Sequence, residues 1–114
     1  MFNVEAKLKT EATRDGFGRG LVLAGEENPN VVVLSADVSS STHCHLFAEK
    51  FPARFFQIGI SEQNLAGVAA GLAMSGKIPF IAAYAVFSPG RNWEQIRTMI
   101  AYNDANVKIA GHHA

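Results

Sequence analysis

The side chains able to do chemistry fall in four short stretches. Glu62 follows Ser61 at the start of an apolar helical run, a place where a carboxylate can hold or share a proton. Asp37 leads a hydroxyl-rich run that includes Ser39, Ser40, Ser41 and Thr42. Tyr84 and Phe87 offer two flat faces for stacking, and His112 and His113 bring two imidazoles near the carboxyl end. Each stretch also has an ordinary structural use. Asp37 and its serines suit a turn and a helix cap, and Glu62 suits a first-turn carboxylate facing a helix dipole. Tyr84 and Phe87 suit a core, and the two histidines suit a terminal tail.

The elements between these stretches decide whether they can meet. Phe17, Leu21 and Ala24 recur at helical spacing within Glu11 to Glu27, with Thr13 available to cap the amino end. The run Val31-Val32-Val33-Leu34 is apolar without alternation, as in a strand covered on both faces of a parallel sheet. The pattern then predicts a short helix near His45 to Phe51, a strand Phe55 to Ile60, a helix Gln63 to Ser75 and a strand Ile78 to Ala83. A helix Trp93 to Tyr102 and a strand Val107 to Ala110 follow. Helices alternating with buried strands predict an α/β fold, a parallel sheet flanked by helices with right-handed crossovers. In such sheets ligands bind beyond the carboxyl ends of the strands, and there the four polar stretches fall. Residues 1–12 read as a polar lead and 13–114 as one domain.

Two local motifs carry less than they promise. Gly16, Gly18 and Gly20 resemble a dinucleotide loop, but they lie inside a helical pattern with no strand before them and the wrong third spacing. His43-Cys44-His45 offers metal donors, yet no second cluster at zinc-site spacing accompanies it. Composition narrows the classes further. The 114 residues are 48% hydrophobic, enough for one core, and ten basic residues balance ten acidic ones. No broad field points to nucleic acid or to an anionic membrane, and any phosphate recognition must be local. A single cysteine, Cys44, excludes an internal disulfide, and no apolar run has signal-peptide or membrane-spanning length, so a reducing cytoplasm is the expected location.

Taken in order, longer phrases form a far more specific pattern. Thr13-Arg14-Asp15, Ser35-Ala36-Asp37, the run Arg54-Phe55-Phe56-Gln57-Ile58-Gly59-Ile60-Ser61-Glu62-Gln63-Asn64, and Ala69-Ala70-Gly71-Leu72-Ala73 are followed by Tyr84-Ala85-Val86-Phe87, Gln95-Ile96-Arg97 and Asn106-Val107-Lys108-Ile109-Ala110-Gly111. This series resembles the pyrimidine-binding domain of transketolase, of the short carboxyl-terminal subunit type, over nearly all the chain from Thr13 onward. The resemblance implies a thiamine-diphosphate-binding fold of the pyrimidine type. It implies that Glu62 bonds the aminopyrimidine ring nitrogen of thiamine diphosphate and so activates the cofactor for transfer of a two-carbon ketol unit between sugar phosphates. It further implies that Phe87 stacks on the aminopyrimidine, with Tyr84 as a second wall and Asp37 in the cofactor pocket. Arg14 and Ser41 match positions that hold the substrate phosphate, and His113 matches a catalytic histidine that contacts the donor sugar.

Departures from the family pattern set further expectations. Gly90 stands where many relatives place another aromatic against the pyrimidine. The glycine-rich motif that holds the diphosphate and Mg2+ is absent from this sequence, which implies a separate diphosphate-binding transketolase subunit as partner, in an oligomer. The chain ends just after its last strand, so the domain reads as incomplete at the carboxyl end and as inactive when isolated. An inactive truncated remnant, or a pairing module that only docks to the other subunit, is the alternative outside catalysis. Deoxyxylulose-phosphate synthase and the beta subunit of 2-oxoacid dehydrogenases use a similar domain, but Asn64 and Asn106-Val107-Lys108-Ile109 look more like transketolase.

Overall fold

A computed structural model describes residues 9–114; the first eight residues of the polar lead lie outside the described residues. Helix α1 spans Thr13–Glu27, β1 Val31–Ser35, α2 His45–Lys50 and β2 Phe55–Gln57. Then come α3 (Glu62–Met74), β3 (Ile78–Tyr84), α4 (Trp93–Gln95) and β4 (Lys108–His112). The four strands form one parallel sheet in the order β2-β1-β3-β4.

β1 is buried along its whole length, and its two faces feed two cores. On one face Val32 and Leu34 pack with Leu65 and Ala69 of α3 and Ile81 of β3. On the other, Val31 and Val33 pack with Leu21 of α1 and with Cys44 and Phe47 around α2. This two-sided burial is why the valine run lacks alternation. Gly18 and Gly25 let α1 and α2 come close. A Cβ at Gly25 would lie 2.6 Å from a ring carbon of Phe47, and one at Gly18 would lie 2.9 Å from Leu46. The glycine-rich helix is thus a packing surface, not a phosphate loop.

The carboxyl end of α1 has no basic residue of its own in the last turn. Arg54 supplies the cation from a distance, donating to the carbonyls of Gly25 at 2.9 Å and Asn28 at 3.1 Å. Its guanidinium lies 3.9 Å from the Phe51 ring centroid, so one side chain satisfies helix carbonyls and covers an aromatic.

Several boundaries depart from expectation for physical reasons. Thr13 is the first helical residue rather than the cap; Ala12 holds the capping position and makes no side-chain bond. β2 ends at Gln57 instead of Ile60, because Gly59 turns the chain with φ +87° toward α3. The helix expected from Trp93 to Tyr102 is α-helical only to Gln95 and then widens into a π-helical stretch, Ile96–Ala101. Asn103 donates to the carbonyls of Thr98 and Met99 that the wider coil leaves over. β4 runs on to His112 as an edge strand, registered residue for residue with β3.

Candidate functional site

The chain leaves β1 for β2 on one side of the sheet, then returns across it through α3 to place β3 on the other side. That reversal opens a crevice beyond the carboxyl ends of β1 and β3, the usual place for a ligand in an open α/β sheet. Tyr84, the last residue of β3, bridges the crevice: its hydroxyl donates to Ser41 Oγ at 2.9 Å. Ser41 in turn directs its own proton to the Val38 carbonyl at 3.2 Å, so toward an anion it presents lone pairs until it rotates.

Tyr84 is the hub of an aromatic group. Phe87 lies with its ring nearly parallel, 17° between planes and 6.1 Å between centroids, and His113 meets Tyr84 edge-on at 4.9 Å. His113 and Arg14 line one cleft of about 760 Å³ between the start of α1 and the end of β4. His112 lines it too, packed edge-on against Phe17 at 4.7 Å. Burial lowers the His112 pKa below its ordinary value, helped by the neighbouring His113 and His43. Arg14, Ser41, Tyr84, Phe87 and His113 therefore share one continuous wall.

Glu62 begins α3 and is only 4% exposed. Among the described residues its carboxylate has one side-chain partner: Arg91 Nη1 stands 3.5 Å from Oε2, at the outer limit of a hydrogen bond. The same guanidinium lies over the Phe87 ring, 4.5 Å from its centroid, which joins Glu62 to the aromatic wall. Below it, Asn92 is fully buried and donates to the Glu62 carbonyl at 2.9 Å and to Ser88 Oγ at 3.1 Å. It thereby ties the first turn of α3 to the loop that carries Phe87. The Asn92 side-chain oxygen, Oδ1, has no partner among the described residues.

Asp37 sits just past the end of β1. Its side chain is exposed, and its amide donates to Gln57 Oε1 at 2.6 Å. Asp37 and His113 share a left-handed backbone, φ 63° and 55°, at the carboxyl ends of β1 and β4. Such strain in residues with a Cβ gathers at functional sites. Gly90 has its own steric reason: a Cβ there would lie 2.1 Å from the Val86 carbonyl oxygen, so this loop path admits no side chain.

Reasoning from sequence missed Arg91 and Asn92. Both follow Ser88-Pro89-Gly90, turn-forming residue types that do not tell that the chain folds back onto α3. The metal reading of His43-Cys44-His45 gains nothing: among the described residues no group of three or more histidine, cysteine or acidic side chains can hold an ion. Cys44 is instead a buried thiol with its pKa pushed up to about 11 by burial, and His43 pairs with Asp15 at 2.9 Å.

A buried carboxylate beside a partly exposed aromatic, held among the described residues by one half-exposed arginine, fits a flat heterocycle carrying ring nitrogens and an amino group. The aminopyrimidine implied by the resemblance is such a ring.

Comparison with known proteins identifies the family. The family model for the transketolase pyrimidine binding domain matches residues 9–114. A protein assigned as a transketolase C-terminal section in Methanocaldococcus jannaschii is 50% identical over 101 residues, covering 89% of this chain and 32% of the relative. A 1-deoxy-D-xylulose-5-phosphate synthase of Tropheryma whipplei is 35% identical over 105 residues, covering 92% of this chain and 16% of that enzyme. Among solved structures, a split-gene transketolase in an inactive β4 tetramer superposes with a TM-score of 0.81 at 55% identity, over 90% of this chain and 34% of that one. The chain thus spans about a third of the length of its subunit-type relatives. The fold and the family match place this chain in the transketolase family, in its pyrimidine binding domain.

Proposed function

We propose that this chain supplies the aminopyrimidine-binding half of a thiamine-diphosphate site, in a transketolase completed by a separate diphosphate-binding subunit that holds Mg2+. The observation that carries the reading is Glu62: a carboxylate buried at a helix start, turned toward the Phe87 loop, with Arg91 as its one side-chain partner among the described residues. Thiamine diphosphate, when bound, supplies the electron sink for breaking and remaking the carbon–carbon bond as a two-carbon ketol unit passes from a ketose phosphate to an aldose phosphate.

The chain's own residues have three tasks. Glu62 holds a proton at a ring nitrogen of the aminopyrimidine, in a setting poor in water where a shared proton is strongly directed. Phe87 stacks on the ring and Tyr84 backs it, fixing orientation through rigid side chains. Arg14 and His113 face the cleft where a sugar phosphate enters, and Arg14 suits the planar recognition of phosphate oxygens. Ser41 adds a hydroxyl once it turns from Val38, and Asp37 stands at the pocket rim. Ile60 at 75% exposure, Val86 at 67% and Trp93 at 64% leave apolar surface beside the site, which supports closure by another chain.

The pairing-module reading has one observation in its favour, since the similar split-gene transketolase forms an inactive tetramer of its β chains. Reconstitution separates the two. Mixed with a diphosphate-binding transketolase subunit, thiamine diphosphate and Mg2+, the chain should give ketol transfer, and Glu62→Gln should lower it by about 10²-fold or more with the complex intact. Assembly without activity in the wild type would favour the pairing module.

A further inference from the structure

We propose that Arg91 is a stand-in for the aminopyrimidine ring, holding the site together until the cofactor displaces it; this rests on the reading of Glu62 and Phe87 given above. A guanidinium is planar, delocalised and edged with N–H donors, the features an aminopyrimidine offers to a carboxylate and an aromatic face once a proton lies on its ring nitrogen. Arg91 uses both at once. Its Nη1 faces the Glu62 carboxylate at 3.5 Å while its plane covers Phe87, 4.5 Å from the ring centroid.

Physical necessity explains the contact. Glu62 is 4% exposed, and a buried carboxylate with no counter-charge is costly. Arg91 can meet that need and still leave, because it is 53% exposed and spans the site from the loop side. Neither contact is tight: the ion pair is long, and the guanidinium makes no other hydrogen bond among the described residues. Asn92, by contrast, anchors the loop with two short bonds, so the backbone can stay in place while Arg91 swings out. Cofactor entry then exchanges the guanidinium for a planar ring over the same two groups, and a proton taken up between Glu62 and the ring nitrogen replaces the departing positive charge.

The competing arginine lowers apparent affinity, because only the fraction of molecules with Arg91 displaced can bind. The test titrates the full chain with the free ring, 4-amino-5-hydroxymethyl-2-methylpyrimidine, reading the Phe87 ring protons and the Arg91 side-chain N–H by nuclear magnetic resonance. In the wild type both signals should move together as Arg91 is released. Arg91→Ala should bind the ring at least about threefold more tightly, although the chain itself loses stability. Arg91→Gln, which keeps the stem and loses the charge, serves if the alanine variant does not fold. Weaker binding in the arginine variants, or ring binding that leaves the Arg91 signal in place, overturns the stand-in role and leaves the aminopyrimidine site standing. Failure of every variant to bind the ring overturns both. Glu62→Gln should lose ring binding in either background.

Discussion

Glu62 owes its character to what lies around it more than to its place at a helix start. A surface carboxylate in a first turn would gain a few tenths of a kcal/mol from the helix dipole. Here the side chain is buried and, among the described residues, meets one long arginine contact. Glu62→Gln keeps the shape and removes a buried charge, so its thermal midpoint should match or exceed that of the wild type while cofactor activation is lost. A drop in stability as large as the loss of function would return Glu62 to a purely structural role. Asn92 is the opposite case: Asn92→Ala removes the bond that ties α3 to the Phe87 loop and the one to Ser88 within that loop, and should cost about 1–3 kcal/mol in denaturant unfolding. Asp37 holds φ 63°, so Asp37→Gly should leave stability unchanged or raise it by up to about 1 kcal/mol, while any role in the cofactor pocket would appear as weaker binding.

At the scale of elements, most of the strands and helices were legible because their side chains follow the periodicity of the surface they pack on. The valine run of β1 and the small-residue face of α3 are read directly from residue type. What escaped depends on contacts between residues far apart in sequence. Arg91 and Asn92 reach Glu62 from about thirty residues away, through a loop whose return path follows from Gly90 and from no period in the sequence. The π-helical stretch escaped for the same reason, since a pattern of apolar residues does not distinguish a wide coil from a regular one. Arg54 is another such long-range contact: Arg54→Ala should cost about 2 kcal/mol, because it strips a cation from the end of α1 and uncovers Phe51.

For the molecule as a whole, the site is a shared wall assembled from the ends of the strands, and its chemistry is coupled to folding at two titrating groups. His112 has a lowered pKa in the folded chain, so the unfolded chain takes up its proton first as pH falls. Its contribution is present above pH about 6.5 and is lost as pH falls through the folded value. Replacing His112 by Asn should flatten that acid-side slope. Cys44 works at the other end. With its pKa near 11 against an ordinary 9.0, the thiol should resist alkylation at neutral pH until the chain unfolds, and its contribution to stability fades as pH rises from 9 toward 11.

The most direct test of the whole account is a crystal structure of this chain paired with a diphosphate-binding subunit and loaded with thiamine diphosphate and Mg2+. The expected result is a Glu62 carboxylate oxygen about 2.6–3.2 Å from a ring nitrogen of the aminopyrimidine, the ring stacked on Phe87, and Arg91 turned away. A cofactor whose pyrimidine lies elsewhere, with Glu62 still paired to Arg91, would contradict it.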